Sequence, residues 1–121
     1  MVRLWRVACL FAGVGLGLCV GSQVSAQSAS QQGRALFLGT ANCVQCHKTP
    51  TETGIKSVSN IGPALEAIKQ KYPTIADRAR LRERIWDASK AKPDTIMPPY
   101  GKHRILTEAE IDLIVVYLET L

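Results

Sequence analysis

The sequence predicts an all-α fold of about four helices. No segment alternates apolar and polar residues with a period of two, so nothing indicates a β-sheet. Two threonines, Thr74 and Thr107, are each followed three positions later by an acidic residue, Asp77 and Glu110, which is typical of a capped helix start. After the second start, apolar residues recur at helical spacing. These are Ile111, Ile114, Val115 and Leu118.

Residues 1–26 have the features of a cleaved export signal. Two arginines precede an apolar run from Val7 to Val20, and Val24-Ser25-Ala26 supplies small residues for cleavage. The run is shorter than the ~20 residues that a membrane-spanning helix needs. We therefore expect cleavage after Ala26, one mature domain of residues 27–121, and a periplasmic location.

The mature chain divides into four predicted helices. After a polar, frayed stretch, a short helix begins at Gly33 and is stopped by Gly39. A second helix opens at Gly62-Pro63, with proline at the first helical position, and extends to about Tyr72. The third helix follows Thr74 and runs to about Ala88, with Leu81, Ile85 and Ala88 on one side; the fourth follows Thr107.

Two segments between the helices are predicted to be irregular. Residues 48–61 are rich in Ser, Thr, Gly and Asn. Residues 90–100 carry Pro93, Pro98 and Pro99, which are incompatible with a regular element.

The five residues Cys43-Val44-Gln45-Cys46-His47 indicate a covalently attached haem. Two thiols three positions apart followed by an imidazole form the c-type haem attachment pattern. Each thiol can add to one haem vinyl group, while His47 reaches the iron from the same side as the proximal ligand. We expect one haem c per chain.

Two other uses of the cysteine pair are disfavoured. A zinc site with two cysteines and two histidines needs paired histidines, whereas His47 and His103 are far apart. A thioredoxin-like redox pair needs a strand-helix-strand setting, which the sequence does not predict. Cys9 and Cys19 lie in the predicted leader, so the mature chain has no thiols for a disulfide framework beyond Cys43 and Cys46.

Met97 is the expected distal iron ligand. Electron transfer is served by a sixth ligand that closes the haem face opposite the histidine, and a thioether there raises the reduction potential. The prolines after Met97 would stiffen its segment. His103 is the competing candidate, although its charged neighbours Lys102 and Arg104 suggest a surface position.

The composition supports a small domain completed by a cofactor. A mature chain of this length forms only a marginal core by itself, and a haem would help to fill it. The net charge of the whole chain is +5, part of which belongs to the leader, and no basic stripe with interleaved aromatic residues is present. Nucleic-acid binding is therefore not indicated.

The order of these features resembles the class I cytochromes c across nearly the whole mature chain. That resemblance implies one domain of about four helices around a covalently bound haem. It also implies that Gly33 and Phe37 pack against the last helix near Tyr117. In addition, it implies that the carbonyl of Pro63 accepts a hydrogen bond from His47, which would orient the ring and raise its basicity.

A narrower resemblance is to SoxX, the small haem subunits of the thiosulfate-oxidising SoxAX cytochrome complex. It is carried by four stretches of sequence, residues 61–65, 81–88, 97–101 and 105–111. The resemblance implies a periplasmic heterodimer with a larger SoxA subunit, which holds the substrate site of the L-cysteine S-thiosulfotransferase. This chain would pass electrons to a downstream cytochrome c and have no catalytic site, because haem uses both of its cysteines.

Two other functions remain open at this point. The first is a free monohaem cytochrome that carries electrons to a terminal oxidase, which the size and ligand set would equally suit. The second is a gas-binding or peroxide-handling haem protein, which needs an open sixth position instead of Met97.

Two features of the predicted helices have alternative interpretations. Arg78 and Arg82 would contact haem propionates or a partner subunit, or pack their stems on the core with the charged ends in water. Leu113 and Val116 lie opposite the main apolar face of the last helix, where a partner or the monomer itself would cover them.

Overall fold

The protein consists of four α-helices in the part that the computed structural model describes, residues 27–57 and 59–121. The helices are α1 (Ala29–Leu38), α2 (Ile68–Lys71), α3 (Ile75–Trp86) and α4 (Glu108–Leu118). Single 3₁₀ turns occur at Cys43–Gln45, Thr51–Thr53 and Ala88–Lys90. This described part contains no β-strand, which confirms the predicted all-α class. The predicted leader lies outside the described residues.

Helix α1 begins earlier than the sequence analysis predicted. The Ser28 hydroxyl accepts the backbone N–H of Gln31, and the Gln31 side chain accepts the backbone N–H of Ser28. This reciprocal cap satisfies two N–H groups that would otherwise have no partner, so the helix includes residues predicted to be frayed. Its end at Leu38, before Gly39, agrees with the prediction.

Helices α1 and α4 cross in close contact at Gly33. A Cβ atom added to Gly33 would lie 2.7 Å from the carbonyl carbon of Leu113, so only glycine allows this approach. One turn further on, the rings of Phe37 and Tyr117 pack edge to face with centroids 5.2 Å apart. This is the packing implied by the resemblance, and it brings the N-terminal helix of the domain onto its last helix. Leu113 and Val116, on the other side of α4, are both half-buried within the monomer.

Helices α3 and α4 begin at the two capping boxes predicted from the sequence. Thr74 with Asp77 and Thr107 with Glu110 each form the reciprocal pair of hydrogen bonds. Helix α3 ends at Trp86 instead of Ala88, because the Asp87 carboxylate accepts the N–H of Ser89 and starts a separate 3₁₀ turn.

Ion pairs join α3 to α4 at both ends of their contact. Arg78 pairs with Glu119. Arg82 donates to Asp112 at 2.7 Å and to Glu108 at 3.0 Å. Both guanidinium groups are therefore paired with carboxylates. The sequence analysis had considered haem propionates, a partner subunit or water as their surroundings.

The predicted second helix is much shorter than expected. Gly62 donates its N–H to the carbonyl of Cys46 at 2.7 Å, and Leu65 donates to the carbonyl of Lys48 at 2.8 Å. These two hydrogen bonds hold residues 62–65 against the attachment segment in a non-helical conformation. Ala67 then adopts a left-handed conformation with φ 52°, and α2 starts only at Ile68.

The core lies between α1, α3 and α4 and extends to the segments that follow Leu38 and Met97. Its fully buried side chains are Phe37, Ile111 and Ile114. The predicted apolar side of α3 is buried there, with Leu81 and Ile85 each 6 % exposed. No helix of the described residues is both long enough and apolar enough to cross a membrane.

Candidate cofactor site

A cavity of about 560 Å³ lies between the attachment segment, α3 and the segment that carries Met97. This volume falls within the range typical of cofactor pockets. Every α-helix except α1 contributes an apolar side chain to its wall. These side chains are Ile68, Leu81, Ile85, Ile114 and Leu118. The apolar faces predicted for the third and fourth helices thus form part of the cavity wall.

Both thiols of the attachment motif line this cavity. Asn42 takes a left-handed conformation with φ 47°, which asparagine tolerates, and starts the 3₁₀ turn at Cys43. Within the turn, the backbone N–H groups of Cys46 and His47 both donate to the carbonyl of Cys43, at 3.1 and 3.0 Å. The local backbone therefore presents two thiols and one imidazole to a common space.

The Cys43 thiol is unsuited to thiol–disulfide chemistry. Burial raises its pKa to about 12, so the thiol stays protonated at neutral pH. Redox-active cysteines have a lowered pKa, because the thiolate is the nucleophile. The sequence argument against a thioredoxin-like pair thus gains a physical reason.

His47 is oriented by a hydrogen bond from its ring to the following loop. Its Nδ1 donates to the carbonyl oxygen of Pro63 at 2.7 Å. This leaves Nε2 as the nitrogen available to a metal. Two backbone hydrogen bonds hold the loop on either side of Pro63, from Gly62 to Cys46 and from Leu65 to Lys48. The contact implied by the resemblance is therefore present in the structure.

Gly62 allows the loop to lie against the His47 ring. A Cβ atom at this position would be 2.7 Å from Nδ1 and equally crowded by other ring atoms. The sequence analysis used Gly62 only as a helix start, and nothing in the sequence alone separates that role from a close approach. The structure shows a close approach.

Met97 lines the same cavity as His47, whereas His103 is not among the described residues of its wall. Met97 is half-buried and packs against the core. His103 is exposed, and its backbone N–H donates to the carbonyl of Pro99. Of the two candidates for the distal ligand, the structure brings only Met97 to the cavity.

Tyr100 contributes to the site in a way that the sequence analysis missed. Its hydroxyl donates to the carbonyl of Ala41 at 2.7 Å and so joins the Met97 segment to the residues before Cys43. Burial raises the pKa of Tyr100 to about 12, which keeps the phenol protonated and able to donate. A lone tyrosine after two prolines carries no sequence signal for such a bond.

The donor set fits a covalent haem better than a bare metal ion. Two thiols, an oriented imidazole and a thioether share one largely apolar cavity, which matches the thioether links and axial ligands of a c-type haem. Its charged wall residues are Lys71, Arg84, Lys92 and Asp94, an excess of cations that suits two propionates. Among residues 27–57 and 59–121, no three His, Cys, Asp or Glu side chains cluster to hold a metal ion.

Comparison with known families gives one result. The family model described as Cytochrome c matches residues 30–121, which is most of the chain. No match to a curated protein is found.

Proposed function

Because the chain belongs to the cytochrome c family, we propose that it carries one haem c bound through Cys43 and Cys46, with His47 and Met97 as axial ligands of the iron. The family makes the protein an electron-transfer haem protein, and the residue assignments are our proposal. The observation that supports them most is the shared cavity, whose wall contains both thiols, the imidazole and the methionine.

The arrangement around the cavity suits one-electron transfer. A bound haem supplies an iron that alternates between two oxidation states. The chain's own residues hold its ligands in place: Pro63 orients His47, and the two prolines after Met97 restrict the segment that bears the thioether. Rigid ligands keep the reorganisation on electron transfer small. In this proposal Met97 closes the sixth position, which disfavours the gas-binding alternative.

Substitution of Met97 tests this ligand assignment. In the oxidised holoprotein, Met97→Ala should abolish the sulfur-to-iron charge-transfer absorption band and lower the reduction potential, because a thioether stabilises ferrous iron. His103→Ala is the matched control and should leave both unchanged. If the band persists without Met97, or disappears without His103, the assignment is wrong.

We further propose that the protein works in the periplasm as the SoxX-type subunit of a SoxAX cytochrome complex. The four stretches that resemble SoxX support this proposal. In the SoxAX proposal, electrons are released when thiosulfate is joined to a carrier-protein cysteine. These electrons pass through this haem to a downstream cytochrome c. The chain itself needs no substrate site for that role.

The structure also supports the simpler alternative of a free electron carrier. The stretch 81–88 belongs largely to α3, and the stretch 105–111 leads into α4. Arg82 joins these stretches by its ion pairs to Glu108 and Asp112. Leu81, Ile85 and Ala88 face the cavity. These stretches therefore have roles inside the monomer, and they do not require a partner.

Native purification distinguishes the two proposals. The SoxAX proposal predicts that the protein, isolated from its own cells at moderate salt, is accompanied by a second, larger haem protein. Purified as that complex, it should become reduced on addition of thiosulfate and a carrier protein with an accessible cysteine. A protein that is isolated alone, and is oxidised directly by a terminal oxidase, would support the free carrier instead.

A further inference from the structure

The segment that carries Met97, residues 91–102, is fixed at both ends to the same short stretch of chain; we call it the strap. At its start, the N–H of Lys92 donates to the carbonyl of Ala88 at 3.0 Å. At its end, the N–H groups of Gly101 and Lys102 both donate to the carbonyl of Trp86, each at 3.2 Å. Residues 86–88 therefore close the strap into a loop, with Met97 near its middle.

Glycine is required where the strap returns to α3. A Cβ atom at Gly101 would overlap several atoms of the Trp86 ring, including Cζ3 at 2.8 Å, which is closer than van der Waals contact allows. The Trp86 ring is itself held by the Arg82 guanidinium, whose carbon lies 5.7 Å from the ring centroid. Because Arg82 is paired with Asp112 and Glu108, the end of the strap is linked through side chains to α4.

A partly buried ion pair adds a side-chain link at the same place. The Lys102 ammonium group donates to Asp87 Oδ2 at 2.9 Å, and Asp87 is only 3 % exposed. The other carboxylate oxygen accepts the N–H of Ser89 at 3.2 Å. Loss of the cation would leave a buried carboxylate with fewer partners, which is costly. We call these contacts of Trp86 and Asp87 with Gly101 and Lys102 the strap anchor.

We propose that the strap anchor positions Met97 and sets how readily this methionine leaves the cavity. None of the four anchor residues is among the described residues of the cavity wall, so they act through the backbone of the strap. When the anchor is intact, the strap has few open conformations, because the loop is short, rich in proline and fixed at both ends. This inference rests on the proposed role of Met97 as the distal ligand.

Competition with added imidazole measures the opening of the strap. Imidazole occupies the sixth position only when Met97 has left, so its apparent affinity is proportional to the fraction of open molecules. The titration uses the full mature holoprotein in the oxidised state and follows loss of the sulfur-to-iron band. Lys102→Met should raise the apparent affinity for imidazole roughly tenfold, since a charge-assisted hydrogen bond is lost.

Lys90→Met is the matched control. Lys90 lies directly before the strap, but the only ion pair of its side chain among the described residues is with Glu83, and both of these side chains are exposed. An exposed pair of this kind contributes little to stability. The control should therefore leave the apparent affinity for imidazole within about twofold of the wild type.

A second variant changes the close contact between Gly101 and Trp86 in the strap anchor. Gly101→Ala should weaken the sulfur-to-iron band even without imidazole, while the haem remains covalently attached. If this variant does not fold, the comparison of Lys102→Met with Lys90→Met decides the question alone, since Lys102 is half exposed and its substitution leaves the core intact.

The possible outcomes separate the two proposals. A wild-type protein without the band would show that Met97 is not the ligand, and the proposed ligand set and this inference would both be wrong. A wild-type protein with the band, in which Lys102→Met and Lys90→Met bind imidazole equally, would contradict the strap anchor only. A selective increase for Lys102→Met supports both.

Discussion

The geometry around His47 depends on two small features of single residues. The carbonyl of Pro63 accepts the Nδ1 proton, and the missing side chain of Gly62 lets that carbonyl approach. The attachment motif itself could be predicted from the sequence, because its spacing is chemically specific. The role of Gly62 could not, because a Gly-Pro pair also suits a helix start, and only the folded chain shows what lies beside it.

Gly62→Ala should raise the reduction potential of the holoprotein. The added methyl group would push the His47 ring away from Pro63 and weaken the hydrogen bond, and a less basic imidazole stabilises ferric iron less. A redox titration of the purified protein measures the change.

Gly54→Ala is the control for the loss of a glycine. Gly54 has φ +68° and nothing within 4 Å of an added Cβ. This change should cost about 1–2 kcal/mol of stability from backbone strain, with no effect on the potential. Equal potentials for Gly62→Ala and the wild type would contradict the role that we assign to this glycine.

The helices show where local sequence patterns determine structure and where tertiary contacts override them. Helices α3 and α4 start at their predicted capping boxes, because a cap is a local hydrogen-bond pattern. Helix α2 is short because the backbone of Gly62 and Leu65 bonds to the attachment segment, a contact between residues far apart in sequence. The start of α1 was missed because Ser28 and Gln31 form a cap within a stretch that otherwise looks unstructured.

Gly33→Ala tests the crossing of α1 and α4. In an ordinary helix this change would stabilise by about 0.5–1 kcal/mol. Here it should destabilise by about 1–3 kcal/mol, because the methyl group would overlap the backbone of Leu113. Urea unfolding of the holoprotein gives the free-energy change. The exposed neighbour Gln32→Ala is the control, and stabilisation by Gly33→Ala would refute the close crossing.

The helix caps should make the protein less stable in acid. The pKa of Asp77 is lowered by the hydroxyl of Thr74 and then by Arg80, and the pKa of Glu110 is lowered by the backbone N–H and then the hydroxyl of Thr107. Because the folded pKa values lie below the unfolded ones, the unfolded chain binds protons more strongly. The stabilisation is complete above the unfolded values of about 4 and is lost as pH falls through the folded values.

Urea midpoints at pH 6 and pH 3 measure this acid effect. Glu110→Gln removes one of the titrating groups. The variant protein should therefore be less stable than the wild type at pH 6, but it should lose less stability on acidification. Glu66→Gln is an exposed control outside the caps. An equal acid loss in Glu110→Gln and the wild type would show that the cap does not couple to pH.

At the scale of the whole molecule, the fold forms a wall around one cavity from segments that are distant in sequence. Cys43 and Met97 are far apart in the chain, yet both line it. The sequence predicted most of the components of this cavity, namely the attachment motif, the methionine and the apolar helix faces. It did not predict the strap anchor, because nothing in the sequence indicates that Trp86 and Asp87 meet Gly101 and Lys102 in the fold.

The central claim is that one haem is bound covalently at Cys43 and Cys46, and intact-mass spectrometry of the exported protein tests it most directly. We expect the mass of residues 27–121 plus one haem, with the colour remaining on the protein in acidified acetone. A mass equal to that of the bare polypeptide, or a colour that acidified acetone extracts, would contradict the account.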